Sequence, residues 1–269
     1  MEEGAGPAGA SSPWWEGRLR LAHGVGPRRE ARLREMGFAT LTALQAHRTY
    51  GGAARRALEL LQRREIAALR RRGARDSQLA ELFGRGRVAV LDVETLGLAP
   101  VFPVFLAGLA WQEQDAPQGT WRYLQLVCLQ LDGELELLDA LDRLVAERFE
   151  ALVTYNGRSF DLPYLRTRRA FWGLDGDGPW PAVACLDLVG EARRYLKPLV
   201  GNARLSQLEV WLTCRPREAD PGAREVPELY QQFLQTGQPE LLEAVLRHNY
   251  HDLRALATVW GHLRSLAVP

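Results

Sequence analysis

The stretch VAVLDVET at residues 88–95 constrains this chain more than any other. Six of its eight residues are apolar or β-branched, which predicts a strand running through the middle of a sheet. Two carboxylates, Asp92 and Glu94, interrupt it. Side chains in a strand alternate faces, so both leave the same face about 7 Å apart. Burying two like charges side by side is costly unless something positive sits between them.

The sequence around this strand alternates between two periods. VFLAGLAWQE (104–113) and TWRYLQLVCLQ (120–130) read as further strands, joined by a hairpin at EQDAPQG. GELELLDALDRLVAERF (133–149) is an amphipathic helix, ALVTYNG (151–157) a buried strand, and AVACLDL (182–188) a short fifth strand. A helix follows ALVTYNG, and everything beyond residue 188 reads helical. Three strands, helix, strand, helix, strand and helices fit a mixed α/β sheet with helices on its faces.

Two more acids stand where a core should be apolar. Asp161, in YNGRSFDLPYL (155–165), follows a strand and a glycine turn and opens a helix with Pro163 in its first turn. It could serve only as an N-cap. Asp252, in RHNYHDLRALATVW (247–260), lies in a long helix and could be a surface residue between apolar positions. Taken together with Asp92 and Glu94, these acids have a chemical use. Carboxylate oxygens select hard divalent cations such as Mg²⁺ or Mn²⁺. Two such ions about 4 Å apart can clamp a phosphodiester, one activating water and the other stabilising the leaving oxygen. Metal between Asp92 and Glu94 would then balance the strand's two charges.

LDVETLGL, YNGRSFDLPYL and HNYHDLRAL together resemble the three motifs of the DEDD exonucleases in the ribonuclease H-like superfamily. DLPYLRTR, CLDLVGEARRYL, LSQLEVWL and VPELYQQFLQTG resemble the bacterial YprB-like family of predicted 3′–5′ exonucleases within it, over about residues 87–266. The resemblance implies a five-stranded sheet with three antiparallel and two parallel strands. It implies that Asp92, Glu94, Asp161 and Asp252 bind two Mg²⁺ or Mn²⁺ ions, and that Asn156 and Phe160 shape the site. Such enzymes place His five residues, or Tyr four residues, before the last Asp. Here His248 holds the position four before Asp252, with Arg247 five before. Residues four apart share a helix face, so His248 is the expected base, rather than Tyr250 or His251. Asp187 also belongs to the family pattern and is expected to cap the following helix.

The N-terminal third differs in character. Up to residue 86 there are 16 arginines against 9 acids, while the whole chain carries a net charge of only +1. A basic appendage beside an acidic body suggests a polyanion handled by two modules, although an Arg-rich solvated helix surface would look the same. HGVGPRREARLREMGFATLTAL (23–44) resembles a helix-hairpin-helix. Gly24 and Gly26 would form the hairpin and Pro27 would open its second helix. The hairpin amides would bind a backbone phosphate, with Arg28 and Arg29 beside it. A hairpin used for packing or protein contacts is the other possibility.

The organisation expected is a disordered tail (1–13), a helical basic region (14–86) ending in an FGRGR linker, and a ribonuclease H-like domain (87–269). No apolar run approaches the roughly 20 residues of a membrane span, and the start lacks a basic n-region followed by an apolar run. Three cysteines, widely spaced and odd in number, argue against a disulfide framework. A cytoplasmic, divalent-metal-dependent 3′–5′ exonuclease acting on single-stranded ends of DNA or RNA is therefore expected. A non-catalytic nucleic-acid-binding or scaffold protein that keeps the fold is the alternative. The presence of all four acids favours the enzyme.

Overall fold

The computed structural model describes residues 13–266, apart from 116, 118, 175, 177 and 219. The expected tail thus falls outside the described residues, except for Pro13. The chain divides into two compact units, one ending at Gln78 and the next beginning at Leu79. Residues Ala80–Phe83, which the sequence reading assigned to the end of the helical basic region and the start of its linker, form a 3₁₀ turn of the second unit.

The first unit is helical. Gly24 takes a left-handed conformation (φ +83°), and Gly26 is the N-cap of α1 (Pro27–Glu35), which Pro27 opens. Val25 is buried and anchors the turn. The helices α2 (Leu41–Leu44), α3 (Gly51–Gln62) and α4 (Ile66–Arg71) follow. Thr40 caps α2, its Oγ1 accepting from the Ala43 amide at 3.0 Å. Leu33, Leu41, Leu44, Ala57, Leu61 and Leu69 supply the buried side of the unit. One correction concerns the hairpin. Its first limb is a single 3₁₀ turn, Leu19–Leu21, rather than a helix. Gly17 and Gly24 bracket too few residues to repay helix nucleation.

The second unit is built on one five-stranded sheet in the order β3-β2-β1-β4-β5. The strands are β1 (Val88–Thr95), β2 (Val104–Gln112), β3 (Trp121–Val127), β4 (Ala151–Thr154) and β5 (Ala184–Asp187). The pairs β1–β2 and β2–β3 are antiparallel, whereas β1–β4 and β4–β5 are parallel. This is the mixed sheet expected from the sequence. Eight of the nine β2 residues are buried, because helices cover both of its faces.

On one face lies α5 (Glu134–Arg148), burying Leu137, Leu138, Leu141 and Val145 against β2 and β3. Between β4 and β5 runs α6 (Asp161–Phe171). Beyond β5, an irregular helical run contains a π-helical turn at Ala192–Leu196. The helices α7 (Leu205–Thr213) and α8 (Val226–Thr236) then pack on α9 (Pro239–Ser265), which lies across β1 and β2. No helix among the described residues is long and apolar enough to cross a membrane.

Two local departures prepare the site. Parallel pairing of β1 with β4 stops at Val90↔Val153, so the second half of β1 has a free edge. The register of β1 against β2 also shifts between Glu94 and Thr95, a bulge of the kind found beside functional residues.

Candidate active site

Strand alternation sends Asp92 and Glu94 to the face that α9 covers. The Asp92 carboxylate meets Asn249 of that helix, whose Nδ2 donates to Oδ2 at 2.8 Å. Burial pushes the Asp92 carboxyl well above the usual range, and Asp252, Glu94 and Asp161 push it further. Asn249 opposes them weakly. Glu94 is raised in the same way, by burial first and then by Asp252, Asp161 and Asp220.

Asp161 is the first residue of α6 and comes to the free edge of β1, where its carboxylate accepts from the Val93 amide. It does not cap the helix: Phe160 occupies the N-cap position and makes no side-chain capping bond. Burial pushes its carboxyl up to about 7, against the help of its own backbone amide and that of Val93. The turn before it is held by Asp187. That carboxylate accepts from the amides of Asn156 (2.8 Å), Arg158 (3.1 Å) and Val189 (3.1 Å). Asp187 therefore satisfies the first amide of the run after β5, whose N-cap is Leu188, and also fixes the turn leading to Asp161. Asn156 adopts a left-handed conformation (φ +71°) that starts this turn. Phe160 packs on Tyr164, with ring centroids 5.4 Å apart. The Tyr164 hydroxyl in turn faces the carbonyls of Gly97, Ala99 and Phe102, in the loop after β1.

Helix α9 brings the remaining groups. Asp252 lies one turn after His248, and His248 Nε2 stands 3.5 Å from Asp252 Oδ2. Tyr250 points elsewhere, packing its ring 4.8 Å from that of Tyr123. His248 Nδ1 is 3.2 Å from Asp220 Oδ1, in hydrogen-bonding geometry. His251 Nδ1 lies at the same distance from that oxygen, but out of line for a hydrogen bond. Arg217 threads among the acids, its Nη2 lying 2.6 Å from Asp252 Oδ1. Its other nitrogens contact Glu209 (2.7 Å) and Asp220 (3.0 Å). These three carboxylates hold the guanidinium charged, more than offsetting its burial.

The sequence reading missed Asn249, Asp220, Arg217 and Glu209. Asn249 had a signal, since it lies three residues before Asp252 on the same helical face. Asp220 and Arg217 had none, because they sit in the irregular connection between α7 and α8. Gly24, Gly26, Arg28 and Arg29 belong to the first unit and not to this cluster. There, Arg29 Nη1 folds back to the Gly24 carbonyl at 2.6 Å, while Arg28 is exposed.

Electrostatics and geometry give different impressions of a metal site. Four acids repel one another across a shared space, yet among the described residues no three acids, histidines or cysteines close around one point. Repulsion reaches many ångströms, whereas a cation needs its oxygens at about 2.0–2.6 Å. The carboxylates face a common space, and Arg217 holds one oxygen of Asp252. The donor set, all carboxylate oxygen and short of positive charge, fits hard divalent cations.

A family model described as RNase_H superfamily matches residues 89–264. This chain belongs to the RNase H superfamily. Within it, the chain is 35% identical over 114 residues to the YprB protein of Bacillus subtilis (strain 168). That alignment covers 42% of this chain and 27% of the relative, so the chain matches only part of that protein's length. The RNase H superfamily fold here is also similar to part of the family B DNA polymerase from the hyperthermophilic archaeon Pyrobaculum calidifontis. That likeness has a TM-score of 0.53 and 18% identity, covering 65% of this chain and 24% of the polymerase. At that identity it bears on the fold alone.

Proposed function

We propose that this chain is a divalent-metal-dependent nuclease, a 3′–5′ exonuclease that hydrolyses phosphodiester bonds at single-stranded ends of DNA or RNA. The observation behind this reading is the convergence of Asp92, Glu94, Asp161 and Asp252. They come from three separate segments onto one desolvated space, where burial and mutual repulsion raise Asp92 and Glu94 and Arg217 offsets Asp252 alone. A fold gains nothing in stability from such an arrangement. These four residues would hold two Mg²⁺ or Mn²⁺ ions. When bound, the ions would supply activation of water and stabilisation of the leaving oxygen. Asn249 orients Asp92, the Val93 amide orients Asp161, and His248 accepts a proton from water at Nε2. Asn156 and Phe160 shape the approach to Asp161, where a terminal nucleotide would lie. The exposed Arg28 and the α1 N-terminus would grip the phosphate backbone.

A second reading, a nucleic-acid-binding or scaffold protein without chemistry, is favoured by one observation, the contact of Arg217 with Asp252. A digestion panel separates the two. End-labelled single- and double-stranded DNA and RNA are incubated with the full chain in Mn²⁺, Mg²⁺ or EDTA. Stepwise, metal-dependent shortening from the 3′ end is expected, with none for Asp92→Asn. Binding without cleavage in either metal would support the scaffold reading.

A further inference from the structure

The connection at residues 214–225 contributes two side chains that belong to none of the motifs read from the sequence. Asp220 is nearly buried, its side chain 10% exposed, and both of its oxygens are engaged. Oδ1 meets His248 Nδ1 at 3.2 Å, and Oδ2 receives Arg217 Nη1 at 3.0 Å. An ionised carboxylate can only accept hydrogen bonds. A neutral imidazole donates from one nitrogen and accepts at the other. Only the Asp220 side has hydrogen-bonding geometry, Nδ1 to Oδ1, whereas Nε2 stands 3.5 Å from Asp252 Oδ2 without a hydrogen bond, so the proton of a neutral His248 belongs on Nδ1 and the lone pair on Nε2. The buried ring, 4% exposed, has little freedom to turn. Arg217 fixes the carboxylate in turn, since it also holds Glu209 of α7 and Asp252 of α9.

We propose that Asp220 is a positioning residue for His248, setting its ring orientation and its Nδ1–H tautomer so that Nε2 is the basic nitrogen beside the acidic cluster. The assignment deepens the hydrolytic reading and rests on it for its purpose, but the tautomer is a property of the chain alone.

The test is ¹⁵N NMR of the imidazole side chains in the full, metal-free chain with the ring neutral, His248 being assigned with His248→Gln and His251→Gln controls. The Nδ1–H tautomer is expected for His248 in the wild type and in Asp220→Glu, and a mixture in Asp220→Asn, whose amide can donate as well as accept. In Mn²⁺-dependent cleavage, Asp220→Asn should lose about 10- to 100-fold in kcat with KM little changed, the usual cost of losing an outer partner, and Asp220→Glu should recover part of it. A wild-type His248 in the Nε2–H form would overturn the proposal without any variant being needed. So would an Asp220→Asn chain that keeps a pure Nδ1–H ring and full kcat. A wild type with the expected tautomer but no cleavage would overturn the hydrolytic reading instead, and leave the assignment standing.

Discussion

Asn249 bridges Asp92 and Gln125 across three strands. Its Nδ2 donates to Asp92 Oδ2 at 2.8 Å, and its Oδ1 accepts from Gln125 Nε2 at 3.0 Å. Asp92, Gly108 and Gln125 are aligned in register on β1, β2 and β3. Asn249 fits because the middle member is glycine. A Cβ on Gly108 would come 2.1 Å from Asn249 Oδ1 and 2.8 Å from Leu253 Cδ1. Gly108→Ala should therefore lower stability by about 1–3 kcal/mol, the usual cost of overpacking, and displace the amide that orients Asp92. Thermal melts and cleavage rates would both show this; an alanine variant as stable and active as the wild type would contradict it.

Asp92→Asn should separate stability from activity. Removing one of the mutually repelling charges should leave the metal-free melting temperature equal or higher. Cleavage should fall below detection. A folded, fully active Asp92→Asn chain would remove this cluster from the chemistry.

The acids also give stability a pH dependence. Burial pushes the Asp161 carboxyl up to about 7 in the fold, whereas an unfolded aspartate titrates at about 3.9. Between those values the folded state holds a proton that the unfolded state has released, so stability falls as pH rises. Asp92 and Glu94 act in the same direction. In EDTA, the melting temperature of Asp161→Asn relative to wild type should rise from about pH 4 to pH 7 and then level off. A constant difference across that window would mean that Asp161 is not destabilised by burial.

Arg217 is the only arginine or lysine found against Asp252 among the described residues. Truncating one partner of such a buried network leaves unpaired charge, at a cost of about 3–5 kcal/mol. Arg217→Met should accordingly melt well below wild type in EDTA. Freed of its guanidinium, Asp252 should then favour a divalent ion. The rise in melting temperature on adding Mn²⁺ should exceed that of the wild type, and a smaller rise would assign Arg217 a supporting part in metal binding.

In the first unit, Arg28 tests the phosphate interaction more cleanly than Arg29. Arg29 holds the Gly24 carbonyl, so its loss would disturb the hairpin itself. Arg28→Glu should weaken binding about equally for unrelated sequences. The slope of log K against log salt should become shallower by roughly 0.7–0.9 for each phosphate no longer neutralised. An unchanged slope would point to a protein-binding role for the hairpin.

Local pattern carried much of this molecule. The alternation in 88–95 determined that Asp92 and Glu94 share a face, because a strand's period is two wherever it lies. The four-residue spacing put His248 on the face of Asp252 for the same reason. The run of strands and helices was enough for a mixed α/β sheet with helices on its faces, while its three antiparallel and two parallel strands were implied by the family resemblance. The limb before Gly24 was misread, since helix nucleation depends on length and glycine content more than on the hairpin's chemistry. What only the tertiary structure decided is how the charges are managed. The hydrogen bond between Asn249 and Asp92 spans 157 residues, and that between His248 and Asp220 crosses from a helix to an irregular connection. Neither leaves a periodic trace, because a side chain in a loop is aimed by the packing around it and not by the residues on either side.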